Sequence, residues 1–298
     1  MTRFPAASVL FALALVVCLA PLSMARSAAA PAAEMKIPFT LTKPAGDGPF
    51  PAVVILHDCS GLGPRSSGGP WRWATRLTDD GYVTLWPDSF GTRGHPAGVC
   101  SDASPPRIPP AARAKDAYAA LDYLRTLPFV DARRIAVMGG SHGGSSTLAT
   151  IVADDANAGR KGPGFAAAIA LYPSCGFSFG AWSVERAANE RHKIVGYAGV
   201  FKPLAPLLIL IGGADDWTPA APCEKLAAAA QQAGYPVEIV VYRGAHHSFD
   251  SRAPVRFLPE RINSNAPGGR GATTGGNDEA WADAIVRVRM FLERHLGS

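Results

Sequence analysis

The sequence lacks closely spaced cysteine pairs and clusters of basic residues. Its 298 residues include five cysteines, and no C-x-x-C pattern occurs. This spacing argues against a zinc site or a thioredoxin-like centre, both of which use such pairs. The net charge is +5, but the Lys and Arg residues are scattered and form no basic run. Nucleic acid is therefore not an expected partner.

Long hydrophobic runs are also missing, except near the N-terminus. That run, Val9–Leu19, is followed by Pro21 and is shorter than the roughly 20 residues of a membrane-spanning helix. A basic start at Arg3, an apolar middle and small residues up to Ala25 are typical of a secretory signal peptide. The sequence therefore predicts a signal peptide over residues 1–25. It predicts a secreted or periplasmic protein with no stable membrane insertion after cleavage.

Short apolar runs alternate with helical stretches through the rest of the chain. The strands predicted from these runs are Ile37–Leu41, Val53–His57, Val83–Trp86, Ile135–Gly139, Ala167–Tyr172, Leu207–Ile211 and Val237–Tyr242. The predicted helices are Trp71–Asp80, Ala111–Leu127, Gly144–Ala156, Ala220–Gln232 and Glu279–Leu296. The middle runs are continuously apolar, which is typical of parallel strands buried on both faces. The pattern predicts one α/β domain over residues 26–298, with a mostly parallel central sheet and helices on both faces.

Four cysteines lie outside the predicted signal peptide, which holds the fifth, Cys18. An even number in an oxidising compartment predicts two disulfides, for which three pairings are possible. The pairs Cys59–Cys100 and Cys175–Cys223 are favoured, because the loops that carry the members of each pair leave neighbouring strand ends. Buried free thiols are the alternative.

Two segments match the nucleophile pattern G-x-S-x-G, one around Ser141 and one around Ser178. A nucleophile elbow needs a strand that runs straight into the serine, a helix that starts directly after it, and small neighbours. The predicted strand Ile135–Gly139 leads into Ser141, and glycines open the helix that follows. Bulky phenylalanines flank Ser178, and three residues separate its segment from the preceding strand. The sequence therefore predicts Ser141 as the nucleophile and Ser178 as a loop residue.

A serine nucleophile needs a base, and the base needs an acid to orient it. Asp215 and Asp216 follow the sixth predicted strand, and His246 and His247 follow the seventh, in the order that α/β-hydrolases use. Local physics does not settle which member of each pair faces the serine. The other members have structural uses, Asp216 as a helix N-cap and His246 as a hydrogen-bonding group. Most of the other histidines are expected at the surface or in loops: His57, His95, His142, His192 and His295.

With these motifs the chain resembles the dienelactone hydrolase family of α/β-hydrolases. The resemblance covers nearly all of the chain after residue 25. It rests on V-V-I-L-H-D-C-S-G-L, P-D-S-F-G-T-R-G, R-I-A-V-M-G-G-S-H-G-G, L-I-G-G-A-D-D-W-T-P and G-A-H-H-S-F-D. It implies an α/β-hydrolase fold in which Asp215 is the acid and His247 the base. It implies no metal and no organic cofactor.

The resemblance also implies an oxyanion hole and a substrate-binding site. The backbone N–H groups of Cys59 and His142 would form the oxyanion hole. Arg93 and Arg252 resemble family arginines that hold a substrate carboxylate, and the alternative for each is a salt bridge within the fold.

Two segments do not fit the alternation of strands and helices. The segment Gly176–Lys202 is expected to cover the site and, with Trp217, to shape an apolar acyl pocket. The aromatic residues of this segment that are expected to shape the pocket are Phe177, Phe179 and Trp182. The alternative is that these aromatic side chains pack in the core. The segment Arg252–Asn277, rich in Gly, Pro and Asn, is predicted to be a long surface loop.

Two departures from the best-known family members favour general ester hydrolysis. Ser141 stands where those members have a cysteine, and Asp58 where they have a glutamate. The sequence thus predicts an exported serine hydrolase that cleaves a small ester or lactone, with Arg93 able to favour an anionic one. The alternatives are a prolyl-oligopeptidase-like peptidase and a catalytically silent binding protein on the same scaffold. The large extra domain usual in the former is missing, and an intact triad argues against the latter.

Overall fold

A seven-stranded sheet lies at the centre of the protein in the computed structural model. The structure describes residue 1 and residues 35–101, 108–153, 163–190 and 193–297. The strands in these ranges are β1 (Phe39–Thr42), β2 (Phe50–Leu56), β3 (Val83–Pro87), β4 (Val130–Gly140), β5 (Ala167–Leu171), β6 (Ser183–Arg186), β7 (Ile194–Ala198), β8 (Leu207–Gly212), β9 (Val237–Tyr242), β10 (Arg256–Ile262) and β11 (Arg270–Thr274). Apart from residue 1, the predicted signal peptide lies outside the described residues, and the described residues from 35 onward belong to one compact unit.

The strand order of the sheet is β1-β3-β2-β4-β5-β8-β9. Strand β1 pairs antiparallel with β3, and every other pair is parallel. All residues of β3, β5 and β8 are buried, which explains their continuously apolar sequences. The edge strand β9 instead mixes buried and exposed positions. The predicted α/β fold with a mostly parallel sheet is confirmed, and each of its seven strands overlaps its predicted range.

The helices in the described ranges are α1 (Gly69–Asp79), α2 (Pro110–Leu124), α3 (His142–Ile151), α4 (Ala220–Gln232) and α5 (Asp278–Leu296). Helix α5 shows why these segments are helical. The side chain of Asn277 caps its first turn by accepting a hydrogen bond from the Ala280 amide at 3.0 Å, and basic residues occupy its last turn. Among the described residues no helix is both long enough and apolar enough to cross a membrane.

The two segments outside the alternation each contain a hairpin. Strands β6 and β7 pair antiparallel within Gly176–Lys202, and β10 and β11 pair antiparallel within Arg252–Asn277. The prediction of a long surface loop for Arg252–Asn277 is therefore wrong. The β10 sequence R-F-L-P-E-R-I holds a proline and three charged residues, so its strand signal is weak. Asn263 stabilises this hairpin by donating to the Gly271 carbonyl at 2.8 Å.

Both favoured disulfides are present. Cys59–Cys100 joins the turn after β2 to the segment before α2, and Cys175–Cys223 joins the loop after β5 to α4. The predicted pairing is confirmed. In each pair the two cysteines follow strands that are neighbours in the sheet, β2 and β3 for the first pair and β5 and β8 for the second.

Candidate active site

Ser141 lies at the sharp turn between β4 and α3. Its backbone has φ 55° and ψ −118°, a region that residues with a side chain rarely adopt. Its amide donates to the Leu171 carbonyl of the neighbouring strand β5 at 2.9 Å, which fixes the turn. The turn therefore places the Ser141 hydroxyl at the carboxyl end of the sheet, where α/β proteins bind ligands.

The glycines around Ser141 allow the chain to turn this tightly. A Cβ atom on Gly143 would lie 2.0 Å from the Leu56 carbonyl oxygen, and one on Gly139 would lie 2.5 Å from the Gly143 backbone. Any side chain at either position would separate β4 from α3 or push α3 away from β2. Ser178, the other match to the pattern, is exposed in a loop, as predicted.

The structure brings together the three side chains expected as a triad. His247 Nε2 lies 2.9 Å from Ser141 Oγ, and His247 Nδ1 lies 2.8 Å from Asp215 Oδ2. All three residues are buried, Ser141 at 7% exposure being the most accessible. The result is one continuous hydrogen-bonded chain from carboxylate to imidazole to hydroxyl.

The Asp215 carboxylate is held by its own loop. Its Oδ1 accepts from the amides of Trp217 at 2.9 Å and Thr218 at 2.7 Å, and its Oδ2 accepts from the Thr218 hydroxyl at 2.9 Å. The same hydroxyl oxygen lies 3.1 Å from the Tyr172 carbonyl oxygen and 3.0 Å from His247 Nδ1. Sequence reasoning missed Thr218. The signal was an Asp followed by a Thr three residues later, which is typical of a carboxylate that closes its own turn.

The second members of both pairs have uses other than those expected. Asp216 does not cap a helix. Its carboxylate accepts from the Thr273 amide and hydroxyl, each at 2.7 Å. These bonds attach the β10–β11 hairpin to the loop after β8, which carries Asp215. The buried Nδ1 of His246 has no hydrogen-bond partner within the described ranges, so the expected hydrogen-bonding use is wrong for that atom. The end of β11 also holds the histidine loop, because the Thr274 hydroxyl donates to the His247 carbonyl at 3.0 Å.

The residues expected to form the oxyanion hole, Cys59 and His142, both lie beside Ser141. Cys59 follows β2 and lines the cleft beside Ser141. His142 is the first residue of α3, so its amide has no partner within the helix. The His142 side chain is half-buried at the start of α3, not at the surface or in a loop, and burial and the neighbouring Arg113 cation lower the pKa of this imidazole to about 3. His57 lies in the loop after β2, within the expectation of a surface or loop position, and its exposed fraction is 0%.

A cleft of about 280 Å³ opens above Ser141 and His247. Trp217 lines it as expected, and its ring centroid lies 4.7 Å from that of His247. Sequence reasoning missed the three arginines that line the cleft, which are Arg65, Arg256 and Arg261. Arg256 and Arg261 lie on the β10–β11 hairpin, a segment that the sequence predicts to be a loop, so no sequence pattern connects them with the site.

Neither of the arginines expected at the substrate lines the cleft among the described residues. Arg93 forms a two-pronged ion pair with the buried Asp116, at 2.8 and 2.9 Å, so the salt-bridge alternative describes it. Arg252 is exposed, although its neighbours Ser251 and Ala253 line the cleft.

The aromatic residues of Gly176–Lys202 do not form an acyl pocket. Phe179 and Trp182 belong to the hydrophobic core, which is the alternative stated for these side chains, and Phe177 is exposed. None of the three is among the described residues that line the cleft. The expectation that this segment covers the site is therefore wrong for these side chains.

Asp58, Cys59 and Cys100 lie close enough together to suggest a metal site. Both sulfur atoms belong to one disulfide, so neither is a thiolate ligand. The Asp58 carboxylate accepts from the Ser60 amide at 2.7 Å and from the hydroxyls of Ser60 and Ser67. The donor set does not fit a metal ion.

The fold and this geometry define the class of the protein. A serine on a strand-to-helix turn, followed along the chain by an acid and a histidine at later strand ends, is the arrangement of α/β-hydrolases. A model of the dienelactone hydrolase family matches residues 37–296, and the chain belongs to this family. It is therefore a hydrolase that acts on ester bonds.

Similar proteins agree with this assignment. A Methylorubrum extorquens protein named "Putative carboxymethylenebutenolidase" is 27% identical over 230 residues, which cover 75% of this chain and 72% of the relative. A Klebsiella pneumoniae structure named "Putative Dienelactone Hydrolase" is 19% identical, with a TM-score of 0.59 over 87% of this chain and 93% of that chain. The propionate-bound Thermogutta terrifontis esterase Est2 is also 19% identical, with a TM-score of 0.58 over 90% of this chain and 95% of that chain. The two structural likenesses show the fold.

Proposed function

We propose that the protein is an exported serine hydrolase that cleaves a small carboxylic ester or lactone. The observation that carries the proposal is the hydrogen-bonded chain of Asp215, His247 and Ser141, with distances of 2.8 and 2.9 Å. A serine hydroxyl becomes a useful nucleophile when an adjacent imidazole can take its proton. The Asp215 carboxylate holds the proton on His247 Nδ1, which leaves Nε2 free to act as the base.

The reaction then follows in two halves. Ser141 Oγ attacks the ester carbonyl while His247 Nε2 takes its proton, and the negative charge forms on the carbonyl oxygen. The amides of Cys59 and His142 donate to that oxygen, and His247 returns the proton to the leaving alcohol. Water then attacks the acyl-enzyme by the same route, releasing the acid and regenerating Ser141.

The charge of the cleft favours an ester with an anionic group. Arg65 and Arg256 form no ion pair with any described carboxylate, so their charges are available to a ligand. The carboxylate in the cleft, Asp58, already accepts hydrogen bonds from two serines. Both side chains are exposed, so their attraction to an anionic ester weakens as salt is added.

The two disulfides support export, because disulfides form and persist in oxidising compartments such as the periplasm or the extracellular space. The N-terminal pattern of residues 1–25 supports the same location.

The test is hydrolysis of p-nitrophenyl esters from acetate to long acyl chains by the protein purified without residues 1–25. We expect activity that is highest with short chains and is lost in Ser141→Ala. Ser178→Ala is the matched control and should keep full activity, because Ser178 is exposed and away from the cleft. Activity that persists in Ser141→Ala would refute the nucleophile. No activity with any ester, together with cleavage of peptide substrates, would favour the peptidase alternative.

A further inference from the structure

Arg113 on α2 is a buried cation that the proposed reaction does not use. Its exposed fraction is 0%, and its Nε has no hydrogen-bond partner within the described residues. No carboxylate in the described ranges lies within ion-pair distance of it. Burial lowers the pKa of Arg113 to about 9, so the side chain is still protonated at neutral pH. A buried charge without an ion pair is costly, which suggests a role other than stability.

The guanidinium of Arg113 joins two chain segments that meet at Ser141. Its Nη2 donates to the His57 carbonyl at 2.7 Å, and its Nη1 donates to His142 Nδ1 at 2.9 Å. The guanidinium carbon also lies 4.9 Å from the centre of the Phe90 ring, which holds its plane. His57 lies two residues before Cys59, and His142 directly follows Ser141.

The protonation of both histidines follows from their partners. His142 Nε2 lies 3.0 Å from the Ile108 carbonyl, which can only accept, so Nε2 carries the proton and Nδ1 accepts from Arg113. His57 Nε2 accepts from the Ser89 amide at 3.2 Å, so its Nδ1 donates to the Asp58 carbonyl at 2.8 Å. Both imidazoles are therefore neutral and fixed in orientation.

The Asp58 carbonyl belongs to the same peptide unit as the Cys59 amide. In a trans peptide the C=O and N–H bonds point in opposite directions. Holding the Asp58 carbonyl through His57 therefore also sets the direction of the Cys59 N–H bond. Arg113 holds the carbonyl of this same His57, and through the His142 ring it holds the residue that carries the other amide.

We propose that Arg113 is a positioning residue of the oxyanion hole, which fixes the amides of Cys59 and His142 relative to each other. This inference rests on the proposed function, in which those amides stabilise the charge formed after attack by Ser141. Arg113 touches neither substrate nor nucleophile in this scheme. Its loss should weaken binding of the tetrahedral intermediate and leave binding of the ground-state ester almost unchanged.

The variants Arg113→Lys and Arg113→Met test the proposal. Losing one oxyanion donor lowers kcat about 10²- to 10³-fold, and a displacement of about 1 Å can cost about 10²-fold. We expect Arg113→Met to lower kcat on p-nitrophenyl acetate about 10- to 100-fold, with KM within about threefold of wild type. Lysine keeps the charge but does not offer two donors in one plane, so Arg113→Lys should show a smaller loss.

A second measurement separates positioning from general damage. An alkyl trifluoromethyl ketone forms a tetrahedral adduct with a serine nucleophile, and its oxyanion occupies the oxyanion hole. Its inhibition constant should rise in both Arg113 variants by the same factor as kcat/KM falls. The control is Tyr118→Phe, which removes a 2.6 Å hydrogen bond from α2 to the Thr150 carbonyl, away from the cleft. It should lower the melting temperature and leave kcat and the inhibition constant unchanged.

Three results would overturn the inference. The first is a folded Arg113→Met variant with kcat within threefold of wild type. The second is a loss of kcat in Tyr118→Phe as large as in an Arg113 variant of equal melting temperature. The third is a fall in kcat without weaker ketone binding. Should Arg113→Met not fold, a folded Arg113→Lys variant with both kcat and ketone binding unchanged from wild type would overturn the inference. Failure of the proposed function itself is seen separately, as wild-type activity that survives Ser141→Ala.

Discussion

Replacing Asp215 by Asn should abolish most activity through the protonation of His247. Oδ1 of Asp215 accepts from two backbone amides, at 2.9 and 2.7 Å. An asparagine must place its carbonyl oxygen there, because an NH₂ group would face two other donors. Its NH₂ group then faces His247 Nδ1, which lies 2.8 Å from Oδ2 in the native protein. The proton of His247 is forced onto Nε2, which can no longer take a proton from Ser141.

The expected loss in kcat is about 10⁴-fold, or about 5.5 kcal/mol, the size that this change has in serine proteases. The assay is steady-state hydrolysis of p-nitrophenyl acetate, with the melting temperature as a check on folding. Asp216→Asn is the matched control, because its side-chain oxygen and NH₂ can keep both hydrogen bonds to Thr273. Its kcat should stay within about threefold of wild type. A folded Asp215→Asn variant with a tenth of the native kcat, or an equal loss in Asp216→Asn, would refute this reasoning.

Three further predictions concern the cleft, a disulfide and a buried histidine. The double variant of Arg65→Gln and Arg256→Gln should raise KM about tenfold for a p-nitrophenyl ester with a free carboxylate and leave KM for the acetate unchanged; an equal rise for both esters would contradict an anion site. Replacing both Cys175 and Cys223 by Ser removes a disulfide that joins residues 48 positions apart, which gives the unfolded chain more conformational freedom. The free energy of unfolding, measured in urea, should fall by about 4 kcal/mol, and a change under about 1 kcal/mol would contradict this. His142, whose folded-state pKa is about 3, binds a proton only in the unfolded chain between about pH 6.5 and 3, so stability is lost as the pH falls through that range. His142→Gln should be less sensitive to acid, measured as urea midpoints at pH 7 and pH 4, and an unchanged pH dependence would contradict the burial argument.

The strand and helix pattern was readable from the sequence because the central strands are buried on both faces. A short continuous apolar run such as Leu207–Ile211 indicates a buried strand when such runs alternate with helical stretches along the chain. Boundaries were less accurate where packing decides them. Strand β4 begins at Val130, five residues before its predicted start, and the charged residues in between lie at a register shift in its pairing with β2.

The candidate site also has features that the sequence shows and features that only the folded chain decides. The order of serine, acid and histidine at three strand ends is a property of the chain, and the glycines around Ser141 mark the tight turn. The choice of Asp215 over Asp216 depends on which carboxylate reaches an imidazole 32 residues away, and only the folded loops decide that. The contact of Thr218 with Asp215 is local and readable from their spacing, whereas its contacts with the Tyr172 carbonyl and with His247 Nδ1 exist only in the folded chain.

The sequence by itself determined the fold class, the nucleophile turn and the order of the candidate triad, because these depend on local backbone geometry and on buried apolar runs. Only the tertiary structure decided which charges reach the cleft. Arg93, in a family-like motif, is neutralised by Asp116, whereas Arg256 and Arg261 enter the cleft on a hairpin with little strand signal. The position of a long, flexible side chain depends on partners distant in sequence, and no local pattern records them.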